Sequence, residues 1–203
     1  MEPFRRLEEV VACPLPMANV DTDQIIPARF LKRPRSAGYG GFLLHDLRFD
    51  EHGRPRNLSV YDSSRAGAKI LVARRNFGSG SSREAAVYAL VDFGFRCVVA
   101  PSFADIFAAN AINNGLLPAK VDEATAERLL DRLAGGLRTL TVDLETRTIA
   151  VGYELLAFEI DDVWRTKLIN GWDDIDLTMS RVEAIAEFAK RRATTYPWVQ
   201  PAG

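Results

Sequence analysis

From about residue 69 onward, short apolar blocks alternate with amphipathic stretches. Lys69-Ile70-Leu71-Val72-Ala73 and Cys97-Val98-Val99-Ala100 carry no polar alternation, the pattern of strands buried on both faces. Between them, residues 85–93 place Ala86, Leu90 and Phe93 on one helical face with Val87 and Val91 beside them, and Gly94 is the stop. Ser81 with Glu84 three residues on has the capping-box pattern, so a helix is expected to start there. Pro101 ends the second block. Ser102 then opens a helix over residues 103–114, stopped by Gly115, with Phe103, Ile106 and Phe107 at core spacing. Strand, helix, strand, helix in that order predicts a parallel βαβ unit with a right-handed crossover.

Downstream, residues 122–133 form an amphipathic helix closed by Gly135-Gly136. Residues 137–144 alternate, turn at Glu145-Thr146-Arg147 and return over 148–151, which predicts a hairpin. Residues 153–160 read as one more strand, and 161–169 as a helix ending at Asn170-Gly171. Ser180 with Glu183 predicts a capped helix over 180–192, followed by a loosely held tail from Tyr196. Upstream, residues 4–31 open with mixed polarity. Val20-Asp21-Thr22-Asp23-Gln24-Ile25-Ile26-Pro27 then reads as a turn with side-chain-to-backbone bonds. Residues 32–58, rich in Arg, Gly, Pro and Asp, form a long loop with short pieces of structure inside it, the kind that is functional or mobile. No repeat or linker is visible. The expectation is one α/β domain over 1–203, with that loop and a C-terminal helical extension over 180–203.

Composition narrows the function. Of 203 residues, 47% are hydrophobic, enough for a core. The net charge of −1 argues against a nucleic-acid or anionic-membrane surface. No apolar stretch spans a bilayer, and Met1-Glu2-Pro3-Phe4-Arg5-Arg6 leads into Glu8 and Glu9 rather than an apolar segment. A cytoplasmic protein with reduced thiols is expected. Its two cysteines, Cys13 and Cys97, cannot ligate an iron–sulfur cluster alone. His45 and His52 read as surface residues rather than a zinc site. No metal site is expected on this chain.

The chemistry concentrates in Gly78-Ser79-Gly80-Ser81-Ser82-Arg83-Glu84, between a strand and a helix. Free N–H groups and the positive end of the helix dipole favour an anion there. Arg83 adds a planar cationic fork for a carboxylate or phosphate. Ser81 or Ser82 is placed to move a proton. The segment lacks the third glycine of a dinucleotide fingerprint, the Gly-Lys-Ser/Thr of a P-loop and the Gly-x-Ser-x-Gly of a nucleophile elbow. Local physics leaves two readings open: an anion site, or a glycine-rich turn capped by Ser81. Asp21 and Asp23 either orient a serine or arginine or close an Asx-turn. Arg33 and Arg35 read as loop residues that face solvent or a dianion. Asp173, Asp174 and Asp176 read as caps after Gly171 rather than metal ligands.

Five motifs in order carry a family resemblance. Residues 20–32, Val20-Asp21-Thr22-Asp23-Gln24-Ile25-Ile26-Pro27-Ala28-Arg29-Phe30-Leu31-Lys32, resemble the N-terminal signature of the 3-isopropylmalate dehydratase small subunits. Asn76-Phe77-Gly78-Ser79-Gly80-Ser81-Ser82-Arg83-Glu84 resembles the swivel-domain motif of the aconitase superfamily. Pro101-Ser102-Phe103-Ala104-Asp105-Ile106-Phe107, Asn114-Gly115-Leu116-Leu117-Pro118 and Asn170-Gly171-Trp172-Asp173-Asp174-Ile175 follow in the family's order. The resemblance implies a swivelling β/β/α domain paired with a separate large subunit that carries a [4Fe–4S] cluster, none being bound by this chain. The pair would isomerise 2-isopropylmalate to 3-isopropylmalate by removing and re-adding water, in leucine biosynthesis. Ser81 would be the base and Arg83 the grip on a substrate carboxylate, with Ser82 beside them and Asp21, Asp23, Gly78, Gly80 and Glu84 in support. Phe30, Leu31 and Lys32 align with the loop that distinguishes substrate side chains. The chain departs from the family's pattern at Ala85, commonly His, and at Ser79, often Cys. Sibling hydratases of citraconate, dimethylmaleate, methylmalate or homoaconitate are the alternatives, and a non-catalytic small-anion-binding domain is a third reading.

Overall fold

The computed structural model describes residues 1–56 and 65–199. Its strands form a seven-stranded sheet whose order, β4-β3-β2-β1-β5-β6-β7, puts the first strand at the centre. β1 (Arg6–Leu15) was not legible in the sequence. Its first half pairs antiparallel with β5 and its second half parallel with β2. The register slips between Leu7 and Val10, where Glu9 takes φ +45°. That bulge breaks the alternation that would have marked a strand. Pro14 sits in the same strand. Ala12 sends its N–H to Arg138 O on the β5 side. Two residues on, Pro14 faces that same side past the end of the β5 pairing, so its missing N–H costs no ladder bond.

After β1 come the four-residue helix α1 (Thr22–Ile25), two short 3-10 turns, a third at Tyr39–Phe42, and α2 (His45–Arg48). The described part of the long loop is docked rather than mobile. Arg35 pairs with Asp92 at 2.8 Å and lies over the Tyr88 ring at 3.9 Å. Gly40 sits so close to the next helix that a Cβ would stand 2.6 Å from Phe93 N. Residues 57 and 58 of the predicted loop lie outside the described residues.

The expected βαβ unit follows as β2 (Ile70–Ala73), α3 (Glu84–Phe93), β3 (Cys97–Ala100) and α4 (Asp105–Asn113). β2, β3 and β4 (Leu117–Lys120) pair in parallel. β4 escaped the sequence reading because it contains Pro118. It is the edge strand, and Pro118 faces the outer side that Lys120 uses to bond Glu159. Helix α5 (Glu123–Ala134), capped by Asp122, returns across the sheet. The predicted hairpin is β5 (Thr139–Asp143) with β6 (Thr148–Val151), and β7 (Glu154–Ala157) completes the sheet. α6 (Asp162–Asn170) ends at Gly171, and α7 (Asp174–Met179) starts in a reciprocal cap between Asp173 and Asp176. α8 (Val182–Thr195) leads to a 3-10 turn at Pro197–Val199.

Three expected boundaries are corrected. Ser180 caps the end of α7, its hydroxyl bonded to Leu177 O, and Arg181 precedes α8 without a side-chain cap. α4 starts at Asp105, because the Ser102 hydroxyl accepts from Asn76 N instead of capping a helix. Arg83, not Ser81, stands at the N-cap of α3, and no side chain caps that end.

Alternate strand residues split the core. Cys13, Leu15, Leu71, Ala73, Val98 and Ala100 face α3, the loop helices and Phe107. Ile70, Val72, Cys97, Val99, Leu117 and Ala119 face α5 and the apolar side of the hairpin. Ile106 does not join the core as its spacing predicted; it is 55% exposed.

The second core is closed by Arg65, 8% exposed, which donates to Ala12 O at 2.6 Å, Leu133 O at 2.6 Å and Leu137 O at 3.0 Å. Removing it strands three carbonyls. Arg65→Met is expected to cost about 3 kcal/mol or more in urea unfolding. Arg65→Lys should recover only part of that, because an ammonium lacks the fork. Wild-type stability of the Met variant would refute the role.

Candidate functional site

Three connections leave the C-terminal ends of β1, β2 and β3, where parallel sheets place ligands. They are stitched together by backbone bonds. Gly78 N–H donates to Val20 O at 2.7 Å, and Thr22 N–H donates to Ser79 O at 2.8 Å. Phe77 N–H donates to Ser102 O at 3.0 Å, and Ala104 N–H returns to Phe77 O at 3.1 Å. Asn76 Nδ2 reaches Asn19 Oδ1 at 2.9 Å. Buried Thr22 adds a side-chain bond, its Oγ1 donating to Ser81 O at 3.0 Å. The sequence reading took Asp21 and Asp23 from this stretch and passed over Thr22; its place between two turn-forming aspartates was the available signal.

This stitching leaves a cavity of about 210 Å³ lined by Thr22, Gly78, Gly80, Ser81, Ser82 and Arg83 on one side and residues 104–107 on the other. The starts of α3 and α4 both meet it, so the first-turn amides of two helices and Arg83 bias it toward an anion, against the Asp105 carboxylate in the same lining. Ser81 and Ser82 are exposed, and among the described residues neither hydroxyl has a hydrogen-bond partner. Arg83 is mostly covered, and its guanidinium is held by the Asp23 carboxylate.

The remaining expected residues divide. Asp21 is occupied by its own helix. It accepts from Gln24 N at 2.7 Å while Gln24 Oε1 accepts from Asp21 N at 3.0 Å, so its turn-forming role is the one observed. Glu84 reaches Asn114 Nδ2 at 2.9 Å, away from Ser81. Phe30, Leu31 and Lys32 do not line the cavity. The Phe30 ring stacks on Phe42 at 4.3 Å and lies under the Arg29 guanidinium at 4.6 Å. Leu31 is half-buried and Lys32 is exposed. Arg29 is tied to Asp46, whose carboxyl that hydrogen bond holds down at about 2. Exposed Ile106, expected in the core, instead forms part of the cavity wall.

A larger cavity of about 380 Å³ lies beyond Asp105 and Phe103, but its Lys120 is spent on Glu159 and it carries no hydroxyl beside a free amide end. Cys13 and Cys97 are both fully buried, on opposite faces of the sheet, and burial pushes the Cys97 thiol well up. They do not fit a cluster. Among the described residues no group of three or more His, Cys, Asp or Glu is gathered as metal ligands. Among them, too, no helix is long and apolar enough to cross a membrane.

The two glycines act differently. Gly78, at φ +76°, is in contact with Phe107: a Cβ would fall 2.2 Å from its ring. Gly80, at φ +93°, has its nearest neighbour at 3.5 Å. Gly78→Ala is therefore expected to cost about 3 kcal/mol or more in thermal unfolding, from overlap plus left-handed strain. Gly80→Ala should show only the strain, about 1–2 kcal/mol. Equal losses would refute the contact.

Comparison with known proteins agrees with this geometry. The aconitase C-terminal domain family matches residues 1–124, and the C-terminal domain family of 3-isopropylmalate dehydratase small subunits matches residues 174–202. A 3-isopropylmalate dehydratase small subunit from Phenylobacterium zucineum is 45% identical over 100% of both chains. Another from Oceanobacillus iheyensis is 49% identical over 87% of this chain and 92% of its own. In fold, the chain is similar to the crystal structure of a 3-isopropylmalate dehydratase from Methanocaldococcus jannaschii. That similarity has a TM-score of 0.61 at 24% identity and covers 88% of this chain and 97% of that one. With two exposed hydroxyls and a cationic fork gathered at the C-terminal ends of the parallel strands, and relatives alike from end to end, this chain belongs to the 3-isopropylmalate dehydratase small-subunit family of the aconitase superfamily.

Proposed function

We propose that this chain is the small subunit of a 3-isopropylmalate dehydratase and supplies half of an active site completed by a cluster-bearing large subunit in the cytoplasm. The observation that carries the reading is the pair of exposed, unpartnered hydroxyls of Ser81 and Ser82 beside Arg83, in an open cavity between two helix starts. The cavity is smaller than the roughly 300–1,000 Å³ of a complete small-molecule site, as half a site should be.

Arg83 grips a substrate carboxylate, and the amides at the starts of α3 and α4 share that charge. Asp23 keeps the guanidinium from swinging away. Ser81 Oγ takes the proton from the carbon next to the carboxylate. A serine hydroxyl is a poor base in water, so Ser81 acts as its alkoxide, its own proton having passed to solvent beforehand. Arg83 and the helix starts stabilise that negative charge until the substrate proton neutralises it, with further water shut out by the partner. The hydroxyl on the neighbouring carbon leaves with the C–H electron pair forming the double bond. This chain's side chains provide no Lewis acid for that departure; a cluster held by the large subunit would. Water then returns to the carbon that lost the proton, and Ser81 gives its proton to the carbon that lost the hydroxyl. The product is the other isopropylmalate. Ser82 stays within reach of the second carboxylate.

The lone chain is expected to show no turnover. Mixed anaerobically with the large subunit it should interconvert 2- and 3-isopropylmalate. Ser81→Ala should then cost about 10²–10⁴ in kcat without loss of assembly. Arg83→Lys should chiefly raise KM, because a point charge replaces the fork. A Ser81→Ala pair with wild-type kcat sinks the assignment.

A further inference from the structure

Residues 78–84, which carry both Ser81 and Arg83, lie along α4 and are fastened at both of its ends. At the front, Phe77 exchanges backbone bonds with Ser102 and Ala104, and Gly78 rests on the Phe107 ring. At the rear, the Asn114 amide donates to Glu84 Oε1 at 2.9 Å and to Asn110 O at 2.9 Å. Both partners are acceptors, so only the NH₂ end of Asn114 fits there. The rear of α4 is itself pinned. Lys167, its side chain only 4% exposed, donates its ammonium to Asn113 Oδ1 and to Asp174 Oδ1 at 2.6 Å.

We propose that Asn114 is a positioning residue for the reaction: by holding Glu84 it fixes the first turn of α3 against α4 and so sets how Ser81 and Arg83 face the substrate. This rests on the roles given to those two residues above. The bond does a second thing. Glu84, which also accepts from the Tyr88 hydroxyl, directly follows Arg83 in the chain, so without Asn114 its carboxylate would be a less firmly held negative charge near the guanidinium. Asn114 draws that charge to the far end of α4. The tie also gives a physical reason for the Asn114-Gly115 and Asn170–Ile175 motifs, which the catalytic reading left unused: one reaches Glu84, and the other presents Asp174 to the lysine that anchors its neighbour Asn113.

The test is made in the reconstituted two-subunit enzyme with isopropylmalate. Asn114→Asp sets two carboxylates against each other and is expected to lower kcat/KM at least about tenfold, as small misplacements of reacting groups do. Adding Glu84→Gln lets the new amide donate to the new carboxylate, and the double variant should recover part of the loss, the bond to Asn110 O staying broken. A merely structural role would lower the melting temperature along with kcat/KM, whereas positioning lowers kcat/KM at an unchanged melting temperature. Asn114→Ala, which removes the tie without a repelling charge, should lose less than Asn114→Asp, and it decides the matter if the aspartate variant melts early. Wild-type kcat/KM in the single variants, or a double variant no better than Asn114→Asp, overturns the proposal. A wild-type pair inactive on isopropylmalate overturns the functional reading itself, and this proposal with it.

Discussion

The stitching of three strand-to-helix connections at one end of the sheet is the constraint on which the rest depends. Each connection alone is a short glycine- or proline-marked turn with little to hold it. Together they satisfy one another's backbone groups: β1's connection takes a donor from Gly78 and gives one to Ser79, and β3's exchanges two bonds with Phe77. A polar backbone so paired can be left partly buried without penalty. The cost of ordering the segment is thus met by the fold, before any substrate arrives. Gly78 and Gly80 take the left-handed conformations that carry the chain past Thr22 and Phe107, and they leave the serines at the rim rather than in the core.

What the sequence disclosed, and what it hid, follows from the same physics. β2 and β3 were legible because both faces are buried and their apolar runs are unbroken. The hairpin was legible because only one face is. β1 and β4 were hidden by Pro14 and Pro118 and by the bulge at Glu9. A proline in a strand is read as a breaker unless the vacant side of the ladder is known, and that is a tertiary fact. Local patterns also misplaced the caps. Ser81, Ser102 and Ser180 each had a good N-cap spacing, yet the first stands exposed, the second accepts from Asn76, and the third closes the helix before it. Asp122, Asp161 and Asp173 do cap helices. Ile106 had core spacing on α4 but faces the cavity, because the front of that helix is a wall of the site rather than part of the interior.

The candidate site was legible through its family motifs more than through its local chemistry. Ser81, Ser82 and Arg83 meet at the cavity with Gly78 and Gly80 beneath them. Asp21 turned out to cap its own helix, and Asp23 to hold Arg83. Phe30 is packed into a stack with Phe42 and His45, propped by the Arg29–Asp46 pair. The position of Phe30 is therefore set by the loop that follows it, outside the cavity lining. Thr22 and Asn114, each bonded to the segment that carries the serines, were visible as letters but not as neighbours, since 59 and 30 positions separate them from Ser81 and Glu84.

The open rim has one more consequence. With its hydroxyl bathed in solvent, Ser81 on an unassembled chain is an ordinary alcohol. Copies made in excess of their companion would therefore be chemically idle, stripping no protons from passing hydroxy acids. On the proposed reading, reactivity would arise only when a second surface closes the gap and expels the solvent, so encounter between the two proteins would itself be the act that arms the base.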